Sequence, residues 1–271
     1  MDLSGTWRGA PADEALRRTF HQPHFVDDDW ERVPVPGHWT SVPALSDETS
    51  ILCRHAFEHA VPSDTARRIW LELDGIFYQG DVYLDGEYLG DTEGYFIRHA
   101  FDVTDALMAR TEHELAIEVN CSPAGSGGKR RSLLGVFEGG TDMVPSGNPG
   151  GIWAPVRLRH TGAVRIHGVR AICLEAKPDR ATIGVRATLI SSSARTVHLI
   201  TEVGGVEHRA DHPLAEGHNE VEWRDEVPAP ELWGPHRRGA PPRYELQVRA
   251  ESRTDEISDQ PGLRIGFRDV S

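Results

Sequence analysis

Few residues in this sequence have the types and spacing that chemistry needs. The stretch "GTDMVPSGNPGGIWAPVRL", residues 140–158, carries one acid, Asp142, among glycines and prolines, then turns abruptly strand-like at Ile152, Trp153, Val156 and Leu158. A lone carboxylate on such a loop either meets a ligand or caps a turn, as Asp readily does. His21 and His24 stand three apart in "HQPH", and His55 and His59 share one face of a strand run. Neither pair has a nearby cysteine or a fixed third ligand, whereas a tetrahedral metal site takes three or four. Asp27, Asp28 and Asp29 in "VDDDW" are consecutive, so they cannot all converge on one ion, and they lack EF-hand spacing.

"PAGSGGKRRS" begins like a phosphate loop. That pattern needs glycine five residues before its Gly-Lys pair and Ser or Thr after it, and Pro123 and Arg130 occupy those places. No nucleophile elbow G-x-S-x-G occurs. The sequence therefore singles out no metal, no cofactor and no catalytic set. Trp7, Trp30, Trp39, Trp153 and Trp233 are candidates for stacking on sugar rings, although tryptophans in β-sandwiches mostly fill cores and interfaces.

The elements that must position these residues are strands. "RRIWLELDGIF" alternates Ile69, Leu71 and Leu73 against Trp70, Glu72 and Asp74. "GDVYLDGEYLG" sets Asp85-Gly86 between alternating runs, the strongest short hairpin signal, because a type I′ turn needs two positive φ angles. "HELAIEV" alternates through Leu115, Ile117 and Val119. Only "DVTDALMAR" reads as a short helix, with Thr104 as its N-cap. Beyond residue 163 a second set of short strands follows, separated by "KPDR" and "GG", as in an antiparallel sandwich. The division falls near "RHTGAV".

Composition bounds the function classes. At 271 residues the chain has room for two β domains. Acids outnumber bases 42 to 29, a formal charge of -13, which repels nucleic acid and anionic membrane surfaces. No apolar run reaches the roughly 18 residues of a bilayer span, and no basic stretch followed by an apolar one opens the chain. Cys53, Cys121 and Cys173 are distant and odd in number, which fits a reduced, cytoplasmic setting with buried thiols. Binding module, enzyme part and scaffold, including one that packs on a second copy of itself, all fit composition and period alone.

Read in order, five stretches resemble the N-terminal part of family 2 glycoside hydrolases, the β-galactosidase, β-glucuronidase and β-mannosidase group. They are "DDDWERVPVPGHW" at 27–39, "RRIWLELDGIFYQGDVYLDGEYLGDTEGYFIRHAFDVTDAL" at 67–107, "NPGGIWAPVRL" at 148–158, "ELWGPH" at 231–236 and "RIGFRDV" at 264–270. The resemblance implies an all-β chain: a sugar-binding-type jelly roll over residues 1–161, then an immunoglobulin-like sandwich over 162–271. It implies β-glycosides as substrates and a TIM barrel that supplies both catalytic carboxylates. "RIGFRDV" normally leads into that barrel, which takes about 250 residues. The expectation is thus that the barrel is absent from this chain and that the chain alone is inactive. In the family the loop before "GGIW" reaches the active-site mouth, and an acid there often touches the sugar. Asp142 inherits that role, although the aromatic often found beside this acid is missing from "GGTDMVPSG". Lys129, Arg130 and Arg131 in "SGGKRRSLLGVFE" also resemble a family loop, facing either a barrel rim or solvent.

Overall fold

The computed structural model describes residues 1–62, 67–122, 148–233, 242–251 and 257–268. The chain divides into two units, Met1–His160 and Thr161–Ser271. The first contains strands β1 (Gly5–Pro11), β2 (Glu31–Val35), β3 (Ser50–Glu58), β4 (Arg68–Leu73), β5 (Gln79–Leu84), β6 (Glu87–Glu93), β7 (His99–Asp102), β8 (Glu112–Asn120) and β9 (Val156–Thr161). Two short helices join them, α1 (Glu14–Arg17) and α2 (Thr104–Ala109). A six-stranded antiparallel sheet, β2-β1-β3-β8-β5-β6, faces a three-stranded sheet, β7-β4-β9. The alternation read from sequence fixes which side chains lie between them. Ile69, Leu71 and Leu73 meet Leu115, Ile117 and Val119 in one core with Trp7 and Trp39. Each such aliphatic side chain contributes about 1.5–3 kcal/mol on burial.

The second unit is a sandwich of β10 (Val164–Ala176), β11 (Arg180–Ser191) and β14 (Gly217–Pro228) against a sheet of β12 (Arg195–Val203), β13 (Val206–Leu214), β15 (Tyr244–Glu251), β16 (Ile257–Asp259) and β17 (Gly262–Ile265). Its core is aliphatic, with Phe267 fully buried. The chain is all-β, a galactose-binding-like jelly roll followed by an immunoglobulin-like sandwich. No helix among the described residues is long and apolar enough to cross a membrane.

Turn chemistry matches the sequence. Asp85 and Gly86 have φ of 53° and 90°, and Gly204 and Gly205 have 62° and 77°, the paired positive angles of type I′ hairpins. The helix at 104–109 forms, but its cap differs from expectation. Thr104 is its first residue and Val103 the cap position. Asp102 accepts from the Thr104 backbone N–H and hydroxyl, while the Thr104 hydroxyl oxygen accepts from Ile69 N at 2.9 Å. Thr104 is thus committed to tying the helix to β4, and the aspartate two residues earlier does the capping.

The outer face of the six-stranded sheet is partly roofed. Residues 12–30 cross it and bury Phe20 and Trp30 against Leu52 of β3 and Ala116 of β8. A buried guanidinium pins this cover. Arg54, 1% exposed, ion-pairs with Asp27 at 2.9 Å and Glu114 at 3.0 Å, and donates to the Phe20 carbonyl. Burial raises the Glu114 pKa while Arg54 opposes the shift. Removing one member of a buried charge pair leaves the other uncompensated, which costs about 3–5 kcal/mol. Arg54→Ala is expected to destabilise the first unit by that order in urea denaturation; a loss below about 1 kcal/mol would show that the cover is held by its aromatic contacts instead.

Candidate functional site

Asp142, Lys129, Arg130 and Arg131 lie outside the described residues, but the framework from which their loop departs and to which it returns is described. At its start, Cys121 N donates to Thr49 O at 2.9 Å. At its end, Asn148 is 9% exposed and uses its whole amide. Its Nδ2 donates to Cys121 O at 2.6 Å and Glu48 O at 3.1 Å, and its Oδ1 accepts from Gly150 N at 2.9 Å. One side chain therefore joins the two loop stems.

The following residues thread a slot between 37–39 and 75–77. Gly37 N donates to Ile152 O, Trp39 N to Gly150 O, and Gly151 and Phe77 exchange two backbone bonds at 2.8 and 3.0 Å. His38 Nδ1 donates to Pro149 O at 2.6 Å. A Cβ at Gly150 would lie 2.0 Å from the Trp39 ring, and Gly151 holds φ of 151°. This is why "NPGGIW" switches so abruptly: only two glycines let the chain slide past Trp39 and pair at once with Phe77. Trp153 then lies over Gly75, its indole N–H donating to Tyr95 O at 2.9 Å, with Phe96 edge-on at 5.6 Å. Phe96 and Ile97, 73% and 55% exposed, leave an apolar surface beside Trp153.

The remaining candidates have structural partners. Asp27 ion-pairs with Arg54. His21 stacks on Tyr83, and His55 on Trp7. His59 meets His160, Nε2 to Nε2 at 3.3 Å. No group of three or more His, Cys, Asp or Glu among the described residues is placed to hold a metal. Trp7, Trp30 and Trp39 are core residues, and Trp233 is partly covered by Arg268 at 4.9 Å. Sequence reasoning missed Asn148 and the Gly150–Trp39 contact; the Asn-Pro-Gly-Gly run was the visible signal.

The jelly roll, threaded loop stem and following sandwich have counterparts in known proteins. Residues 44–135 match the family model described as glycosyl hydrolase 2 galactose-binding domain-like. The chain is 27% identical over 229 residues to β-mannosidase B of Aspergillus clavatus, covering 77% of this chain and 27% of that protein. It is 24% identical over 234 residues to an exo-β-D-glucosaminidase of Hypocrea jecorina, covering 80% of this chain and 25% of that protein. Among solved structures, a calcium-binding mutant of β-glucuronidase 2 from Bacteroides uniformis superposes with a TM-score of 0.77 at 17% identity, over 98% of this chain and 32% of that one. β-D-Mannosidase from Dictyoglomus thermophilum gives 0.74 at 20% identity, over 100% and 36%. The chain resembles the N-terminal region of family 2 glycoside hydrolases and spans about a quarter of the length of these curated relatives.

Two measurable consequences follow from this framework. Gly150→Ala forces a methyl into Trp39 and is expected to cost about 1–3 kcal/mol, as overpacking does; Gly168→Ala, with nothing within 4 Å, is the control that leaves the thermal midpoint in place. Burial pushes the imidazole pKa down at His55, His59, His99, His160 and His212, and His59 and His160 add mutual repulsion at His59. Imidazoles held neutral in the fold take protons more readily once unfolded, so their stability is complete above the ordinary value of about 6.5 and drains as pH falls through it. The thermal midpoint is expected to drop on acidification through that range, and less steeply in His59→Gln; parallel profiles would refute the assignment.

Proposed function

We propose that these residues form the accessory β-sandwich region of a family 2 β-glycosidase, with the jelly roll over 1–161 and the immunoglobulin-like sandwich over 162–271. The catalytic carboxylates then come from a barrel that these residues do not contain. The observation that carries this reading is the lopsided match: most of this chain aligns with about a quarter of each curated relative. The exposed Phe96 and Ile97 beside Trp153 support it as an apolar surface for the rest of such an enzyme to cover. Asp142, on the loop whose stems Asn148 joins, is the proposed sugar contact. Three free cysteines support a reduced, cytoplasmic setting.

Retaining hydrolysis needs two carboxyl groups about 5–5.5 Å apart on a rigid support. The role of these units is therefore to frame and position, not to cleave. The test reads the coding frame past residue 271 and assays the 271-residue chain beside any longer product on aryl β-mannoside, β-glucosaminide and β-glucuronide. Turnover by the longer protein alone is expected, with Asp142→Ala lowering it at least tenfold. Turnover by the short chain overturns the proposal, and an unchanged rate in Asp142→Ala returns that acid to a turn-forming role.

A further inference from the structure

The sheet β10-β11-β14 of the second unit has one face in the core and one in solvent. Ala181, Ile183, Val185 and Leu189 of β11 point inward, so the residues between them point outward. Strand register sets the outward residues in four rungs. They are Gly168–Thr188–Glu220, Arg170–Arg186–Glu222, Ile172–Gly184–Arg224 and Glu175–Thr182–Glu226, with Leu174 as an extra residue before the last. Ile172 and Leu174 are 62% and 46% exposed. A hollow of about 520 Å³ opens over Gly184 on the middle strand.

Two features set this face apart. In a chain of net charge -13, three arginines line the hollow against one glutamate, so a second copy meets no excess of negative charge here. Arg186 pairs with Glu222, whereas Arg170 and Arg224 make no ion pair with other described residues. The second feature is glycine. Inside a strand it costs stability and often marks the close approach of another backbone or a ligand. A Cβ at Gly168 would meet nothing within 4 Å, and one at Gly184 would meet only Leu174, at 3.2 Å and beyond. The face thus carries two bare positions beside protruding aliphatic and guanidinium side chains.

We propose that this face is a self-complementary contact between two copies of the chain. The two-fold axis lies in the contact, across the strands, midway between the Arg170 and Ile172 rungs. β10 then runs antiparallel over β10 of the second copy, and unlike rungs meet. Glu222 meets Arg224 of the second copy, twice over by symmetry. Arg186 enters the hollow over Gly184, where Leu174 offers an apolar wall to its stem. Leu174 comes down over Gly168, and Ile172 takes the stem of Arg170. Glu220 faces Glu226, a like-charge pair that Arg180 eases by holding Glu226 at 3.4 Å. A two-fold along the strands is the worse choice, because it stacks Arg186 on Arg186. With 12 residues in β11, strand rise and spacing give a face of about 40 Å by 14 Å. Two such faces bury about 1,100 Å² in total, the low end for specific interfaces, so the dimer is weak and exchanging. No residue of the loop stem takes part, and the contact stands or falls apart from the glycosidase reading.

Sedimentation velocity of the 271-residue chain at concentrations up to about 0.5 mM tests this. A monomer–dimer equilibrium in the micromolar range is expected. Arg224→Glu and Glu222→Arg, each alone, set like charges against each other at both ends of the two-fold and should weaken the dimer at least tenfold. An equimolar mixture of the two variants should regain it, because each then meets its opposite charge. Gly168→Phe should abolish it by blocking Leu174, with circular dichroism showing the fold intact. A chain monomeric throughout, or a mixture no tighter than its components, would overturn the proposal. So would a dimer unmoved by either charge reversal, which places the contact on another surface such as Phe96 and Ile97.

Discussion

A single guanidinium organises the outer side of the first unit. Arg54 sits on β3, fully enclosed, and collects Asp27 and the Phe20 carbonyl from the segment that crosses above it and Glu114 from β8. A buried charge tolerates this only when paired and hydrogen-bonded on every side. The segment 12–30 therefore has one course across the sheet that satisfies Arg54, and that course sets where α1 ends. Arg17 at the end of α1 then reaches Glu118, and farther along the same segment Phe20 and His21 pack on Tyr83 of β5. The course of the roof follows from one satisfied cation.

The opposite requirement rules the loop stem. There the chain must pass an aromatic ring at a distance no side chain permits, so glycine at 150 and 151 is a matter of space and φ. Asn148 complements them by filling each hydrogen-bonding position of its amide with backbone from both stems. The two stems, at Cys121 and Asn148, are thereby held to each other.

Sequence disclosed the architecture because alternation and turn chemistry are local. Asp85-Gly86, Gly204-Gly205 and the Ile69–Leu71–Leu73 face each needed only a few neighbours to be read, and the five ordered motifs supplied the family likeness. The errors and omissions involve partners far apart in the chain. Thr104 looked like a cap because nothing local reveals that Ile69 N uses its hydroxyl. Nothing local to Asp27 reveals its actual partner, Arg54, 27 residues away on β3. The outward rungs of β10, β11 and β14 exist only once register is known. Asp142 was legible solely through resemblance and falls outside the described residues.

The free thiols divide the same way as the fold. Cys53 and Cys121 are completely enclosed in the first unit, and burial drives both pKa values up to about 12, whereas Cys173 on the second unit is partly accessible. Nucleophilic sulfur is thiolate, so the native first unit is inert to alkylating agents and mild oxidants. Opening that unit alone releases two reactive sulfurs against a constant background of one. The protein thus carries its own stoichiometric reporter: the number of thiols titrated per chain distinguishes an intact jelly roll from an opened one, without any added probe group.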